Sequence, residues 1–509
     1  MLEYELDAIQ RELDLGNHVV VATCNGEVPL CSANLNGWRR PKKRLCYECK
    51  SKVKNGLNWL SEKSGKLTIV NYDSNASLDY LNASFKMIEV VDFKYKGIDL
   101  YNTALSGYYT DEGYVKNSPN SEKLSQELAL AISSTDSAEL LINKYKPQSV
   151  YLFNGRLPRY QPLLRYARLK NIQTKVFEYP VCGYLDYIVT NNTYSHDISM
   201  FSRDLKYKVD SSKIDKIEMI EKGQQWFQKR FSHNLTDWTS YLKNQEINKS
   251  PLGWNDKKFN LVIFTSTESE FSAIPEVKIR QLYPTQYDGL RKIFTDLISL
   301  DISTTIRMHP NSAEDSYNIK KINQFAVAYK NITVINPSSS VDSYKLMADA
   351  NLIIVFGSTV GAEAAFIKKP VILAGPSIYE SFGLCVQPKS HRFLINTIKK
   401  CVEGNHQDFP SSENRYINSC LFAYAFMNIG IRPKYINKNN YFNASMVRDG
   451  TEYPLKPSFL PNLINRLFSM HTSISNGLLV FLKNKDARNK FFSNPFSSLY
   501  KTIFIRQSL

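Results

Sequence analysis

The side chains best suited to bind a phosphate follow an apolar run in the second half of the chain. Residues 352–356 are apolar without alternation, which predicts a strand buried on both faces. A helical pattern over residues 360–367 and a second apolar run complete a predicted βαβ unit of a parallel sheet. Ligands of such sheets bind at the carboxyl ends of the strands, where Ser358 and Thr359 lie. We therefore predict that these hydroxyls and the start of the helix bind a phosphorylated ligand.

Neighbouring turns add further groups to the same predicted site. One predicted strand ends in Arg307 and His309, which would supply fixed positive charge and a hydrogen-bond donor to a phosphate. Glu363 lies in the second turn of the helix described above, where a carboxylate can accept both hydroxyls of a ribose. Ser266 lies in a hydroxyl-rich turn after another short apolar run. An ordinary structural role is the alternative for each of these residues.

The first half of the chain offers a second group of polar strand ends. Asn154 and Arg156 follow one predicted strand, and Glu178 ends the next. Because adjacent strand ends meet at one sheet edge, we predict that Asn154 and Arg156 bind an acceptor. A group transfer to a hydroxyl also needs a side chain that takes the acceptor proton. Glu178 is the first candidate for that role, and the pair His196 and Asp197 is the second.

Four cysteines near the amino terminus are spaced like metal ligands. Cys24, Cys31, Cys46 and Cys49 form C-x6-C-x14-C-x2-C, and four thiolates suit a tetrahedral zinc ion. The spacing of the first pair is unusual for a zinc site. Free or redox-paired thiols are therefore the alternative to a structural zinc.

The elements that must position these groups alternate between strand and helix. Strands are predicted at residues 17–23, 66–70, 87–91, 149–153, 174–177, 261–264, 304–307 and 331–335, and helices at residues 121–144, 163–169 and 288–300. Residues 192–257 are polar, and much of this stretch is predicted to be helical. The alternation predicts an α/β fold in which each half of the chain forms one Rossmann-like sheet. We predict an N-terminal domain over residues 1–255, a second domain over 256–459 and a C-terminal helical segment over 460–509.

Composition narrows the classes of protein and of partner. The chain has 509 residues with 64 Lys and Arg against 48 Asp and Glu, a net charge of +16 that favours anionic partners. Eight cysteines in so long a chain do not indicate a secreted disulfide scaffold. The acidic amino terminus lacks a signal-peptide pattern, and no apolar run is long enough to span a membrane. A cytoplasmic location is therefore expected.

The last fifty residues interleave basic and aromatic side chains. This composition suits a segment at the interface of an anionic membrane, which predicts peripheral contact with the cytoplasmic face of the inner membrane. A terminal helical region that packs back on the first domain is the alternative.

Three short motifs resemble the C-terminal domain of GT-B glycosyltransferases. They are residues 307–310 (RMHP), 357–364 (GSTVGAEA) and 369–372 (KPVI). The resemblance is strongest to enzymes of bacterial capsule and lipopolysaccharide synthesis, a class that includes Kdo transferases and other CMP-sugar enzymes with a His-Pro motif. It implies two Rossmann-like domains facing a central cleft, with His309, Ser358 and Thr359 on the donor phosphate and Glu363 on the ribose. No acidic-glycine motif of the CMP-sialyltransferase type occurs in the first half, so the resemblance does not assign the base.

These observations predict a glycosyltransferase that moves a sugar from a nucleotide sugar to an oligosaccharide or lipid-linked acceptor, such as a growing surface glycan. A CMP-sugar is the favoured donor, and a UDP- or GDP-sugar is the alternative. No cofactor is required in principle, because a helix N-terminus and basic side chains can neutralise the leaving phosphate. A UDP-sugar epimerase of related fold is the second hypothesis. A zinc-containing nucleic-acid-binding protein is the third, and it ranks last because the basic residues are spread along the chain. No nucleic-acid partner is expected.

Overall fold

The computed structural model describes residues 2–24, 26, 31, 42–61, 65–72, 92–113, 118–178, 186–194, 196–232, 244–255, 257–310, 312, 317–440 and 443–455. The chain divides into two compact units, one of residues 1–26, 31–70 and 444–509 and another of residues 27–30 and 71–443. The predicted boundary at residue 255 falls inside the second unit. The strand predicted at 87–91 and the basic, aromatic segment 460–509 lie outside the described residues. Within the described residues, no helix is both long and apolar enough to cross a lipid bilayer.

The secondary-structure elements are named in chain order. The helices are α1 (Leu2–Asp14), α2 (Lys42–Trp59), α3 (Tyr101–Glu112), α4 (Ser121–Tyr145), α5 (Gln161–Leu169), α6 (Ile198–Asp210), α7 (Lys216–Phe231), α8 (Pro275–Lys278), α9 (Gln286–Leu297), α10 (Tyr317–Ala328), α11 (Ser343–Asp349), α12 (Val360–Phe366), α13 (His391–Val402) and α14 (Ser412–Asn428). The strands are β1 (Val19–Thr23), β2 (Leu67–Asn71), β3 (Lys94–Tyr95), β4 (Ile98–Asp99), β5 (Ser149–Phe153), β6 (Gln173–Glu178), β7 (Ile188–Asn191), β8 (Phe259–Phe264), β9 (Ile302–Arg307), β10 (Ile332–Ile335), β11 (Leu352–Val355), β12 (Val371–Leu373), β13 (Ile436–Asn440), β14 (Asn443–Arg448) and β15 (Thr451–Pro454).

The first unit is organised around α1, α2 and a small sheet. Strands β1 and β2 pair with each other in a two-stranded sheet. Among the strands that the structure describes, they therefore do not join β5 and β6 in one sheet, contrary to the prediction. The guanidinium of Arg448 stacks over the ring of Trp59, 4.5 Å from its centroid, and donates a hydrogen bond of 2.9 Å to Gln10.

The second half of the second unit is a Rossmann-like domain. Its five parallel strands lie in the order β10-β9-β8-β11-β12, which is the 3-2-1-4-5 order of that fold. Alternate residues of β11 enter opposite cores, since Leu352 and Ile354 pack in one apolar cluster and Ile353 and Val355 in another. Helices cover both faces of the sheet, which explains why the strand is apolar without alternation. The predicted α/β class with a parallel sheet is confirmed.

The first half of the second unit contains a smaller mixed sheet. Strand β5 pairs with β6 in parallel, and β7 pairs with β6 in the antiparallel direction. Leu152 and Val176 of this sheet are buried, together with Leu164 of α5. The polar ends of β5 and β6 are thereby fixed beside each other.

The polar stretch after β7 forms α6 and α7, which confirms the predicted helical content of its described part. Helix α7 packs against α12 and α14 of the Rossmann-like domain. The ring of Phe227 stacks on Phe366 with 4.5 Å between centroids, and Trp226 meets Phe426 edge-on at 6.1 Å. Residues that precede β8 in sequence therefore belong to the core beneath its sheet.

Gly223 is the point of closest approach between α7 and α14. A Cβ atom at this position would lie 1.9 Å from the carbonyl oxygen of Cys420, which is backbone and cannot move aside. We expect Gly223→Ala to destabilise the protein by at least ~2 kcal/mol, because overpacking forces the helices apart. In an exposed helix the same change stabilises by roughly 0.5–1 kcal/mol. Urea unfolding of Gly223→Ala beside the exposed control Gln225→Ala measures the effect, and a stabilised glycine variant would contradict the packing described.

Candidate functional site

A cleft opens where β8 and β9 end, and we call it the strand-end cleft. Its walls are the turn after β8, the start of α9, the residues after β9, the start of α10 and the residue that follows α3. They include Gly113, Thr265, Thr267, Glu268, Gln286 and Ser312. Gly113 comes from the first half of the second unit, and the other residues come from the Rossmann-like domain. Both halves of the unit therefore line the cleft, at the edge where sheets of this kind bind ligands.

His309 is held at the edge of this cleft by the turn after β8. Its backbone N–H donates to Thr265 Oγ1 at 2.9 Å, and its Nδ1 lies 3.3 Å from Thr267 Oγ1. Burial, aided by the charge of Arg307, lowers the pKa of His309 to about 4. The imidazole is therefore neutral at pH 7, and it would bind a phosphate oxygen as a hydrogen-bond donor and not as a cation.

Ser266 ties the ends of two strands together. Its hydroxyl donates to the carbonyl of Phe356 at 2.7 Å, and its backbone N–H donates to the side chain of Gln286 at 2.9 Å. The donor-binding role predicted for Ser266 stays a prediction. In this structure its hydroxyl fixes the turn after β8 against the end of β11.

Glu268 is a buried carboxyl group in the wall of the cleft, and sequence reasoning did not select it. It is 7% exposed, and its Oε1 accepts a hydrogen bond of 2.9 Å from the backbone N–H of Gln286 at the start of α9. Burial raises the pKa of Glu268 to about 7, and the charge of Asp288 adds to the rise. A carboxyl group with a pKa near 7 can both take and give a proton at neutral pH. The adjacent hydroxyl-rich turn was visible in the sequence, but the burial of Glu268 was not.

Ser358 and Thr359 lie at the end of β11, as predicted. Ser358 is buried, its carbonyl accepts a hydrogen bond of 2.7 Å from the hydroxyl of Tyr379, and its Oγ accepts a weak one of 3.4 Å from the N–H of Val360. Thr359 occupies the N-cap position of α12, but its side chain makes no capping hydrogen bond. The predicted phosphate contacts of the two hydroxyls stay predictions.

The guanidinium of Arg307 points away from the predicted phosphate position. It is 2% exposed, and it donates to the carbonyls of Asn336 at 2.5 Å and Ser339 at 3.3 Å and to the hydroxyl of Ser343. These bonds hold the loop after β10. These hydrogen bonds would have to break before Arg307 could contact a phosphate. In this structure Arg307 therefore acts on the site through its charge, which helps to lower the pKa of His309.

Glu363 is part of a buried ion pair. Its Oε1 accepts hydrogen bonds from Nε and Nη2 of Arg230 at 3.1 and 3.0 Å. Glu363 is 3% exposed and Arg230 is 8% exposed. Arg230 also stacks over the ring of Trp226. The carboxylate therefore joins α12 to α7 in this structure, whereas the sequence predicted a ribose contact.

The predicted acceptor-binding residues of the first half do come together. Asn154 donates a hydrogen bond of 2.8 Å from its side chain to Glu178. Asn154 and Gly155 both have positive φ, 62° and 77°, and a Cβ on Gly155 would lie 3.2 Å from Leu164 and Val176. Asparagine and glycine are the residues that tolerate this turn, which places Asn154 beside the end of β6.

Arg156 and His196 form a second part of this group. Arg156 is buried and donates to Thr110 at 2.7 Å, while burial lowers its pKa and the nearby carboxylates of Glu270 and Glu178 oppose that shift. Burial and the charge of Arg156 lower the pKa of His196 to about 3. Nε of Arg156 and Nδ1 of His196 are buried and have no hydrogen-bond partner in the part of the chain that the structure describes. A ligand oxygen is the kind of group that would satisfy them.

Asp197 serves as the N-cap of α6. It accepts hydrogen bonds from the backbone N–H of Met200 at 3.2 Å and from the hydroxyl of Thr193 at 2.7 Å. Both carboxylate oxygens are thus used within its own loop, and His196 is too weak a base at a pKa of about 3. The structure therefore gives less support to this pair as the proton acceptor than to Glu268 or Glu178.

The four predicted metal ligands belong to the first unit. The charges of the Cys31 and Cys46 thiolates contribute to a raised pKa of Cys49, after burial as the main cause, so these three thiols lie near one another. The backbone N–H of Gly26 donates to the Cys24 sulfur at 3.2 Å. All four thiols are free of disulfides, and among the described residues no group of three or more Cys, His, Asp or Glu is arranged to hold a metal ion. The structural zinc stays a prediction.

The Rossmann-like domain, which forms most of the strand-end cleft, is similar in sequence to a known protein family. Residues 235–407 match the family model of capsule polysaccharide biosynthesis proteins. This stretch of the chain is similar to that family. It spans β8 to α13, including His309, Ser358 and Glu363. The resemblance to surface-polysaccharide proteins that the motifs indicated is confirmed there. No curated protein is detectably similar to the chain in sequence.

Several solved structures share a distant likeness with the chain. KpsC of Thermosulfurimonas dismutans matches as a beta Kdo 2,7 transferase at 15% identity, with 63% of this chain and 86% of that chain covered and a TM-score of 0.33. Its beta Kdo 2,4 transferase matches at 13% identity, the same coverage and a TM-score of 0.34. UDP-GlcNAc 2-epimerase of Neisseria meningitidis, bound to UDP-GlcNAc, matches at 11% identity over 74% of this chain and 95% of that chain, with a TM-score of 0.30.

Proposed function

We propose that this protein is a glycosyltransferase of capsule or related surface-polysaccharide synthesis, which transfers a sugar from a nucleotide sugar to a growing glycan. The observation that carries the proposal is the strand-end cleft, because all of its lining residues except Gly113 lie within the stretch similar to capsule biosynthesis proteins and one of them is a buried carboxyl group with a pKa of about 7. Group transfer to a hydroxyl needs such a proton acceptor next to a phosphate site.

The Rossmann-like domain would hold the nucleotide sugar. In this proposal, the neutral imidazole of His309 donates a hydrogen bond to the donor phosphate, and Thr267 fixes the ring. Ser358 and Thr359 bind the nucleotide at the end of β11. A CMP-sugar is our first choice of donor, as the motif resemblance implies, and UDP- and GDP-sugars are the alternatives.

The first half of the second unit would hold the acceptor. Asn154 and Arg156 offer hydrogen-bond donors there, and Glu178 accepts a hydrogen bond from Asn154. In the transfer step the acceptor hydroxyl loses its proton to a carboxylate, its oxygen bonds to the anomeric carbon, and the phosphate leaves with the electrons of the broken carbon–oxygen bond. We assign the proton transfer to Glu268, with Glu178 as the alternative.

A Glu178→Gln variant separates the two assignments. We expect its transfer rate to fall at least ~100-fold, because the carboxylate lies among the acceptor-binding groups, while nucleotide binding stays unchanged. If Glu178 only positions the acceptor, the pH dependence of kcat keeps the inflection near 7 that Glu268 produces. Loss of that inflection in Glu178→Gln would transfer the role of base to Glu178, and full activity would remove Glu178 from the site.

Thermal-shift measurements with CMP, UDP, GDP and their sugars test the donor. A ligand that binds only the folded state raises the melting temperature, and the rise grows with the ratio of its concentration to its Kd. We expect one nucleotide to shift wild type, to shift Glu178→Gln equally and to shift His309→Ala less. If no nucleotide or nucleotide sugar raises the melting temperature, the proposal fails.

An acceptor requirement distinguishes a glycosyltransferase from the alternative, a UDP-sugar epimerase. An epimerase converts UDP-N-acetylhexosamine alone, whereas a transferase leaves the sugar configuration unchanged until an acceptor is added. Contact with an anionic membrane face through the basic C-terminal segment remains part of the proposal, and so does a metal-independent reaction.

A further inference from the structure

A second pocket lies on the outer side of α5, apart from the strand-end cleft. It has a volume of about 300 Å³ and is bounded by the turn between β3 and β4, by α5, by Tyr194 and by the short helix α8. Four charged side chains line it, namely Asp99, Arg165, Arg168 and Glu276. This volume is at the lower end of the range in which small ligands bind, and it has room for about one sugar ring.

Two of the charged groups in this pocket have no partner. Oε2 of Glu276 is buried, and it accepts no hydrogen bond from any residue that the structure describes. Arg168 is exposed, and its guanidinium makes no ion pair or hydrogen bond within the same described ranges. A buried carboxylate oxygen without a donor is costly, and a bound hydroxyl group would remove that cost.

The rest of the pocket is already fixed in position. Nε of Arg165 donates to the hydroxyl of Tyr194 at 3.0 Å, and Nη1 lies 4.0 Å from Oδ2 of Asp99. Asp99 in turn accepts two hydrogen bonds from Asn102 at the start of α3. These contacts leave Glu276 and Arg168 as the groups free to bind a ligand, one as an acceptor of hydroxyl donors and the other as a cation.

We propose that this pocket binds one acidic sugar residue of a glycan, through its hydroxyls to Glu276 and its carboxylate to Arg168. A simple anion would meet Arg168 but would be repelled by Glu276 and Asp99. A neutral sugar would satisfy Glu276 but leave Arg168 unused. An acidic sugar satisfies both groups. The proposed function enters this assignment at one point, because it identifies the acceptor glycan as the source of the sugar.

The pocket is connected to the candidate site through two chain segments. Tyr194 lies two residues before His196, and its ring contacts the Asn154–Arg156 turn, since a Cβ on Gly155 would lie 3.6 Å from it. Glu276 lies six residues after Glu270, and its neighbours Ile274 and Val277 pack in the apolar cluster of Tyr194. An occupied pocket would therefore hold both segments and place the next sugar of the glycan nearer the acceptor-binding residues.

Titration calorimetry of the full chain tests this pocket with three probes, D-glucuronate, D-glucose and inorganic phosphate. Glucuronate and glucose differ only in the carboxylate at C6. We expect wild type to bind glucuronate at least ~10-fold more tightly than glucose, a difference that a charge-assisted hydrogen bond supplies. Arg168→Ala should abolish the difference, and Glu276→Gln should weaken both sugars. Lys170→Ala, which removes the same charge two residues away, should change neither, and melting temperatures verify that each variant is folded.

Three results would overturn the inference. These are no binding of glucuronate by folded wild type, equal binding of glucuronate by Arg168→Ala, or phosphate binding as tight as glucuronate binding and insensitive to Glu276→Gln. This binding test is independent of the proposed transferase activity, because glucuronate binding in this pocket needs no nucleotide. A chain that transfers sugar but binds no glucuronate refutes only this pocket, and a chain that binds glucuronate through Arg168 but no nucleotide sugar refutes only the transferase.

Discussion

Glu268→Gln is expected to stabilise the protein at pH 8 and to abolish sugar transfer. The folded state raises the pKa of this carboxyl group from 4.5 to about 7, so between these values the folded state holds a proton that the unfolded state has lost. Stability therefore falls as the pH rises from 4.5 to 7. Glutamine cannot ionise, and the variant escapes this loss, which is about 3 kcal/mol at pH 8.

Urea unfolding at pH 5 and pH 8 measures the stability effect. The gain should be below ~1 kcal/mol at pH 5, where the wild-type group is largely protonated in the folded state and only partly ionised in the unfolded state. The exposed control Glu221→Gln should change stability equally at both pH values. An equal effect of Glu268→Gln at both pH values would show that burial does not raise this pKa.

The same variant should lose transfer activity by ~100- to 10,000-fold, because a positioned proton acceptor contributes that much to a reaction of this kind. Stability gained together with activity lost is the pattern expected of a strained functional group. A Glu268→Gln variant that transfers sugar at the wild-type rate would leave Glu178 as the remaining candidate.

Arg230→Met is expected to cost about 3–5 kcal/mol of stability. It leaves the carboxylate of Glu363 buried without its cation, and a lone buried charge is expensive. The double variant Arg230→Met/Glu363→Met should recover most of the loss, because apolar groups of similar size can replace a buried ion pair. The control Lys222→Met breaks an exposed pair with Glu218 on the same helix and should leave the urea midpoint almost unchanged.

These variants also test the predicted ribose contact of Glu363. If the carboxylate binds ribose, the double variant loses nucleotide affinity although its stability is restored. If Glu363 serves only to join α12 to α7, nucleotide affinity returns with stability. A single Arg230→Met variant that loses less than ~1 kcal/mol would contradict the buried ion pair itself.

Apolar patterning was enough to predict the Rossmann-like domain. The run at residues 352–356 is continuous because β11 is covered on both faces, and the strands on either side carry the same signal. The first half was harder to predict. Strands β1 and β2 resemble those of a Rossmann-like sheet, but pairing between distant strands is set by tertiary packing that no local pattern records.

The positions of site residues were predicted better than the directions of their side chains. Asn154 and Glu178 meet as expected, because both end neighbouring parallel strands. Arg307 also ends a strand, yet its guanidinium turns to the loop after β10, and Glu363 pairs with a residue 133 positions earlier. Glu268 was missed for a related reason, since its altered pKa arises from burial that depends on the folded chain.

A glycosyltransferase releases nucleotide when its acceptor is present, so nucleotide release with and without acceptor is the measurement that decides the function. The purified full chain would be incubated with the nucleotide sugar that gives the largest thermal shift, with and without a surface-glycan acceptor, and the products would be followed by mass spectrometry. We predict nucleotide release that depends on the acceptor, an acceptor heavier by one sugar residue, and the loss of both in Glu268→Gln. Epimerisation of the nucleotide sugar without any acceptor, or acceptor-dependent transfer that persists in both Glu268→Gln and Glu178→Gln, would contradict it.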